Sequence, residues 1–266
     1  MSRLSREAAF RVVHEGTGPS DQSAGPSLED DALDLIVEGF RKAIWMLITA
    51  DRQLLAITLL TLRVSGVATL VSLVAGVPLG VALGLSRFPG RGAVLSLVNA
   101  GMGLPPVVVG VATSLFLWRN GPLGGFGLMY TPEAMVLAQC VIALPQVVGL
   151  TVAGVMQLDP RLGLQIVALG ASRFQLYSLL IREARLSILA AIMAGFGAVV
   201  SEVGASMMVG GNIAGQTRVL TTSIVLEINK GNFDVAIALS LVLMLLAYGI
   251  TAVLTIIQQK GRHAPI

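Results

Sequence analysis

The chain has 266 residues, of which 55% are hydrophobic and 12% charged, with a formal net charge of +3. A soluble domain carries about a quarter charged residues, so this composition excludes an ordinary soluble fold and points to a polytopic α-helical membrane protein. The basic residues are scattered in short stretches between apolar runs, which excludes a nucleic-acid-binding face, and a single cysteine, Cys140, excludes an internal disulfide.

Residues 1–27 are rich in Ser, Gly, Pro and charge, and are expected to be disordered. No apolar core precedes a small-residue cleavage site there, so the stretch is not read as a secretory signal peptide. Residues 28–52 place Leu33, Ile36, Val37, Phe40, Ile44 and Trp45 at helical spacing. Glu38, Arg41 and Lys42 interrupt that face, and a central Arg, Lys or Asp costs about 2.5–3.5 kcal/mol on insertion scales. An interfacial amphipathic helix is expected, with a sixth span as the alternative.

Residues 53–259 hold the transmembrane core. The apolar run 54–85 exceeds the roughly 20 residues of a span, so the span is expected within 62–85. Thr69 and Ser72 lie on it, Gly66, Gly76, Gly80 and Gly84 permit close helix approach, and Pro78 predicts a kink. Arg63, near its start, is expected to snorkel outward and is given no transport role. Arg87 and Arg91 mark the following turn as cytoplasmic. The second span, 94–117, is interrupted at 101–106, where Pro105 and Pro106 remove two backbone donors. Such a break is tolerated only where protein or a watery cavity covers the freed carbonyls. A third span, 133–156, predicts another break at Pro145.

The connection 157–185 is long for a simple loop, and long connections are usually functional. Helix-compatible residues flank Gly170, predicting two short helices joined by a glycine turn. Leu162, Ile166, Leu169, Phe174, Tyr177, Leu180 and Ile181 recur as on a helix lying against something. By these residues alone, a hairpin resting on lipid headgroups fits equally well. A fourth span (187–209), a polar outer segment (210–234), a fifth span (235–257) and a cytoplasmic tail (260–266) complete the chain. With the 157–185 loop cytoplasmic, its arginines join Arg87, Arg91 and the C-terminal cations on one side, leaving Arg119, Arg218 and Lys230 on the other. That asymmetry obeys the positive-inside rule.

No G-x-x-x-x-G-K-[ST] run occurs, so no P-loop binds ATP in this chain. No intramembrane Ser/His/Asp set or carboxylate pair suggests an enzyme. His14 and His263 lie near the two ends, leaving no His/Cys cluster for a metal. Glu202 is the one carboxylate deep in an apolar span, a functional hypothesis by default. Glu202 is expected to be paired, protonated or tied to a helix break. Ser201 and Ser206, with Thr69 and Ser72 opposite, present hydroxyls that could act as weak donors along a path. Helix–helix hydrogen bonding is the plainer reading of each. Gly210-Gly211-Asn212-Ile213-Ala214-Gly215 resembles a phosphate-binding nest without its lysine and strand.

The turn Ala168-Leu169-Gly170-Ala171-Ser172, continued by Arg173 and Phe174, resembles the cytoplasmic coupling loop of ABC-importer permeases. The run Ser201-Glu202-Val203-Gly204-Ala205-Ser206-Met207-Met208-Val209-Gly210-Gly211-Asn212 is similar to the molybdate/tungstate/sulfate branch, most of all to the tungstate permeases. Leu164-Gln165-Ile166 and Glu183-Ala184 depart from the wider family's pattern. The resemblance implies a type I ABC-importer permease fold with about five core transmembrane helices, in the bacterial inner membrane. It also implies a homodimer embedded in lipid, with an extracytoplasmic oxyanion-binding protein outside. A separate ABC ATP-binding subunit would hold ATP and Mg, this chain needing no cofactor of its own. Ala168 to Phe174 then form the coupling surface, and Ser201, Glu202, Gly204, Ser206, Thr69, Ser72, Pro105 and Pro106 are candidates for the path or its gate. Molybdate or sulfate is the alternative cargo. A secondary transporter using Glu202 would need a coupling-ion site or an inverted repeat, and a passive scaffold gains nothing from broken helices.

Overall fold

In residues 28–49 and 51–262, which the computed structural model describes, every regular element is helical. The expectations for residues 1–27 and 263–266 lie outside the described residues. A bilayer core offers no water to backbone polar groups, so a spanning chain must satisfy them within helices. The elements run α1 (Leu28–Ile48), α2 (Arg52–Leu85), α3 (Arg91–Met102), α4 (Pro106–Leu117), α5 (Pro132–Met156) and α6 (Pro160–Ala168). They continue with α7 (Arg173–Glu183), α8 (Arg185–Val200), α9 (Gly204–Gly210), α10 (Leu220–Asn229) and α11 (Phe233–Arg262). Of these, α2, α5 and α11 are long and apolar enough to cross a membrane singly, and two bent pairs raise the number to five.

Helix α2 has 34 residues, or about 51 Å at 1.5 Å per residue. That length exceeds a hydrocarbon core of about 30 Å, so the helix must extend beyond the core or tilt within it. Asp51 caps its start by accepting from the Gln53 and Leu54 amides. The helix continues through Pro78 to Leu85. Its small residues set the packing against α5: a Cβ on Gly76, Gly80 or Gly84 would fall within 3.0 Å of Val147, Thr151 or Val155 respectively. Small residues at four-residue spacing allow backbones to approach this closely. Gly66 faces nothing within 4 Å. The pair yields a test: Gly66→Ala should stabilise by about 0.5–1 kcal/mol through helix propensity, whereas Gly80→Ala should lose about 1–3 kcal/mol by overpacking. Thermal unfolding of the two variants in one detergent reads the opposite signs.

The second predicted span is an elbow. Helices α3 and α4 meet at 102° across Gly103-Leu104-Pro105. Each has 12 residues, about 18 Å, too short to cross alone. Arg91 donates to the Leu83 and Gly84 carbonyls and to the Met156 sulfur. Gly101 rests on the Pro145 ring, and Leu117 joins Ala134 and Met135 in one buried cluster. The two arms thus pass from one end of α5 to the other.

Two expectations need correcting. Pro145 does not break α5, which runs unbroken from Pro132 to Met156; its ring instead receives the Gly101 backbone. The outer segment 210–234 is not simply polar loop, because α10 forms within it and buries Leu220, Thr221, Thr222 and Ser223.

Helix α1 lies along α11. Lys42 pairs with Asp234, and a Cβ on Gly39 would collide with Ile237. Rising residue number on one therefore meets falling number on the other, an antiparallel arrangement. Of the charges that made a lipid-facing span costly, Lys42 has a partner in the first turn of α11.

Candidate coupling surface and translocation path

Helix α6 opens on Asp159, which accepts from the Arg161 amide, with Pro160 at its first position. It closes with Gly170 N–H donating to Val167 O and Ala171 N–H to Ile166 O, the two bonds of a Schellman motif. That motif requires a left-handed residue, and Gly170 has φ +81°. Nothing lies within 4 Å of a Cβ there, so the glycine answers a backbone demand rather than crowding. Helix α7 starts at once: the Ser172 hydroxyl accepts from the Gln175 amide while the Gln175 side chain accepts from the Ser172 amide. This capping box and the Schellman motif share one four-residue turn, so the hairpin is stiff.

Its apolar residues divide into two sets. Ile166, Leu180 and Ala184 are buried, and Ala184 clusters with Val81 and Val155 at the C-terminal ends of α2 and α5. Leu169 is 87% exposed and Phe174 83%. The hairpin is thus anchored on one side and presents a bare apolar tip on the other. Ala184 is both the last cap of α7 and the first of α8, and the two helices meet at 71°. No flexible linker separates tip from span.

At its other end α8 stops at Val200, and residues 201–203 interrupt the fourth predicted span before α9 begins. Glu202 is buried, 7% exposed, in this interruption. Its Oε1 accepts the Ala205 amide at 2.8 Å, which satisfies one free donor at the start of α9. Its carbonyl accepts the Thr221 hydroxyl at 3.0 Å, tying the break to α10. Helix α9 packs on the far arm of the elbow: a Cβ on Gly204 would meet Val107 at 2.8 Å, and one on Gly110 would meet the Ala205 Cα at 2.7 Å. The two interruptions therefore touch. Pro105 and Pro106 enter the arm that carries Val107 and Gly110, opposite Gly204 and Ala205.

The candidate hydroxyls are not gathered in one place. Ser206 accepts from Gln139 of α5 at 3.3 Å, close to Glu202. Thr69 and Ser72 lie on α2, buried against the neighbouring face of α5, where the Cys140 sulfur donates to Ala68 O. Helix α5 stands between them and α9. Thr69 donates to Ser65 O and Ser201 to Gly197 O, so both protons are held within their own helices. Ser72 is buried beside the Cys140 side chain.

Nor is the nest-like run free. Gly211 N–H donates to Met207 O and Ile213 N–H to the Thr217 hydroxyl, which in turn donates to Gly210 O. Arg218 donates to both Asn212 oxygens. This loop is stiffened from within. Beyond it, Asn232 and Lys230 donate to the Glu227 carboxylate and hold it below the usual carboxylate range.

Residues 76–262 match the family of binding-protein-dependent transport system inner membrane components. The tungstate uptake system permease TupB of Peptoclostridium acidaminophilum is 38% identical over 232 residues, covering 86% of this chain and 100% of the relative. Its counterpart in Campylobacter jejuni is 36% identical, covering 81% and 90%. The sulfate permease CysW of Escherichia coli is 29% identical, covering 78% and 76%. Among solved structures, a bacterial alginate ABC transporter with its pentasaccharide-bound periplasmic protein aligns at a TM-score of 0.68, with 17% identity, over 99% of this chain and 94% of that one. The methionine transporter MetNI aligns at 0.62 with 22% identity over 82% and 97%. These likenesses assign the type I importer fold. With the family model spanning most of the chain, this protein belongs to the inner-membrane permeases of binding-protein-dependent ABC importers.

Proposed function

We propose that the chain is the membrane subunit of an ATP-driven oxyanion importer whose cargo is tungstate. The observation that carries the coupling half is the hairpin: a rigid, anchored turn with Leu169 and Phe174 bare at its tip. Isolated apolar side chains on a surface are normal, whereas contiguous exposed apolar patches mark interaction sites, and the Leu169–Phe174 tip is read as one. The occupant is a separate ATP-binding subunit that holds ATP and Mg. A push on the tip reaches α8 through the 71° joint at Ala184, and α8 ends at the Glu202 break against the elbow. Inverting a 1:99 equilibrium between inward- and outward-open states takes about 5.5 kcal/mol.

A second copy of the chain completes the path, and a binding protein delivers the anion outside. The cargo half rests on the two tungstate permeases at 36–38% identity, against 29% for the sulfate permease. Sulfate and molybdate are the competing cargoes. Uptake by cells that express the chain with its ATP-binding and binding-protein subunits, and lack other tungstate importers, should give tungsten accumulation that survives excess sulfate. Accumulation abolished by equimolar sulfate or molybdate would reassign the cargo. No uptake of any oxyanion by the assembled complex would remove the importer reading.

A further inference from the structure

At the outer end of α2 lies an open cavity of about 770 Å³ between that helix, Pro132 and residues 214–218. Three charged side chains line it, Arg52, Arg63 and Arg218, and no carboxylate does. Arg52 and Arg63 stand eleven residues apart, about three turns, and so share one face of α2. Neither makes an ion pair or hydrogen bond among the described residues. Arg218 faces them from the outer loop, its guanidinium oriented by Asn212. The Gln53 and Gln216 amides add neutral donors to the same wall. On one helix face, Arg52 and Arg63 thus present two positive charges that no carboxylate of the cavity wall neutralises. Guanidinium groups with amides between them match the oxygens of a tetrahedral anion.

We propose that this cavity is an outer anion site, in which Arg52, Arg63 and Arg218 hold a tetrahedral oxyanion at the mouth of the permease. The site deepens the importer reading and rests on it for the identity of the cargo. Its open, largely apolar walls suit brief retention, since a path must release what it binds. It revises the expectation that Arg63 merely reaches for water. The same oxygen chemistry is offered by the phosphate of an anionic lipid, because Arg63 sits where α2 enters the apolar zone.

Equilibrium dialysis of tungstate against the full chain in a phosphate-free maltoside detergent tests the free-anion source. Arg52→Gln and Arg63→Gln should each weaken binding by at least about tenfold, the loss expected for one charge-assisted hydrogen bond. Arg119→Gln, an exposed arginine outside the cavity, should leave binding unchanged. Native mass spectrometry from phosphatidylglycerol nanodiscs tests the lipid source. A lipid retained by wild type and lost from the same two variants supports the site with the headgroup as its occupant. If neither ligand distinguishes the variants from wild type, the inference is overturned. An unaltered site in a complex that imports no oxyanion would instead count against the importer reading, and normal import without binding here against the site.

Discussion

Replacing Leu169 and Phe174 together by aspartate should leave the bundle folded and weaken capture of the ATP-binding subunit by roughly 100- to 1000-fold. Buried apolar anchors at an interface typically contribute 2 kcal/mol or more each, and every 1.4 kcal/mol is tenfold in affinity. Both side chains are more than four-fifths exposed, so their loss removes nothing from the core of this chain. ATP-dependent uptake should fall in parallel. Gly170→Ala makes the complementary test, because it leaves the apolar tip in place and strains its geometry: φ +81° costs a residue with a Cβ about 1–2 kcal/mol. That variant should bind the ATPase more weakly and still retain some transport. Co-purification with unchanged gel-filtration behaviour reads both, with unchanged melting expected of the Leu169/Phe174 variant alone. Full capture by the Leu169/Phe174 variant would mean the hairpin rests on lipid, and the coupling reading would be lost.

How far the sequence revealed this arrangement depends on the kind of signal. The hairpin was legible because its determinants are local. A glycine between two helix-compatible runs and a Ser three residues before Gln175 dictate turn and cap without help from distant residues. The elbow was half legible: Pro105 and Pro106 announce an interruption, but its angle follows from what α4 packs on, and Ala205 is about a hundred residues away. Pro145 misled because a proline states only that one hydrogen bond is absent. Whether a helix breaks there depends on the neighbour, and the Gly101 backbone fills the space against its ring. The break at 201–203 contains no proline, so its position rests on Glu202, whose side chain replaces the backbone bond that the interrupted helix lacks. The arginine cavity was invisible in sequence, since Arg218 meets Arg52 and Arg63 only through folding. The hydroxyl set failed for the mirror reason, with α5 standing between residues that seemed to face one another.

Glu202 is the one buried carboxylate among the described residues, and substitution separates two accounts of it. If its work is to cap α9, Glu202→Gln should be nearly silent, because the amide oxygen still accepts the Ala205 proton. Glu202→Ala should destabilise by about 1–3 kcal/mol, the cost of leaving a buried donor unpaired, and lower the melting temperature. It should also slow uptake strongly, because α9 would no longer be held against Val107 and Gly110 of the elbow. If the carboxylate's charge gates the path, Glu202→Gln should melt like wild type yet lose most transport. The geometry favours the cap. Oε1 lies 2.8 Å from the Ala205 nitrogen, and the Glu202 carbonyl holds Thr221. One residue thus joins α8, α9 and α10 at the point where movement from the coupling hairpin would arrive. A charged group free to gate would be expected at the exposed neighbour, Ser201, rather than folded beneath it. Melting and uptake measured on the same two variants decide the matter, and wild-type stability with lost transport in Glu202→Gln would transfer this residue from the scaffold to the gate.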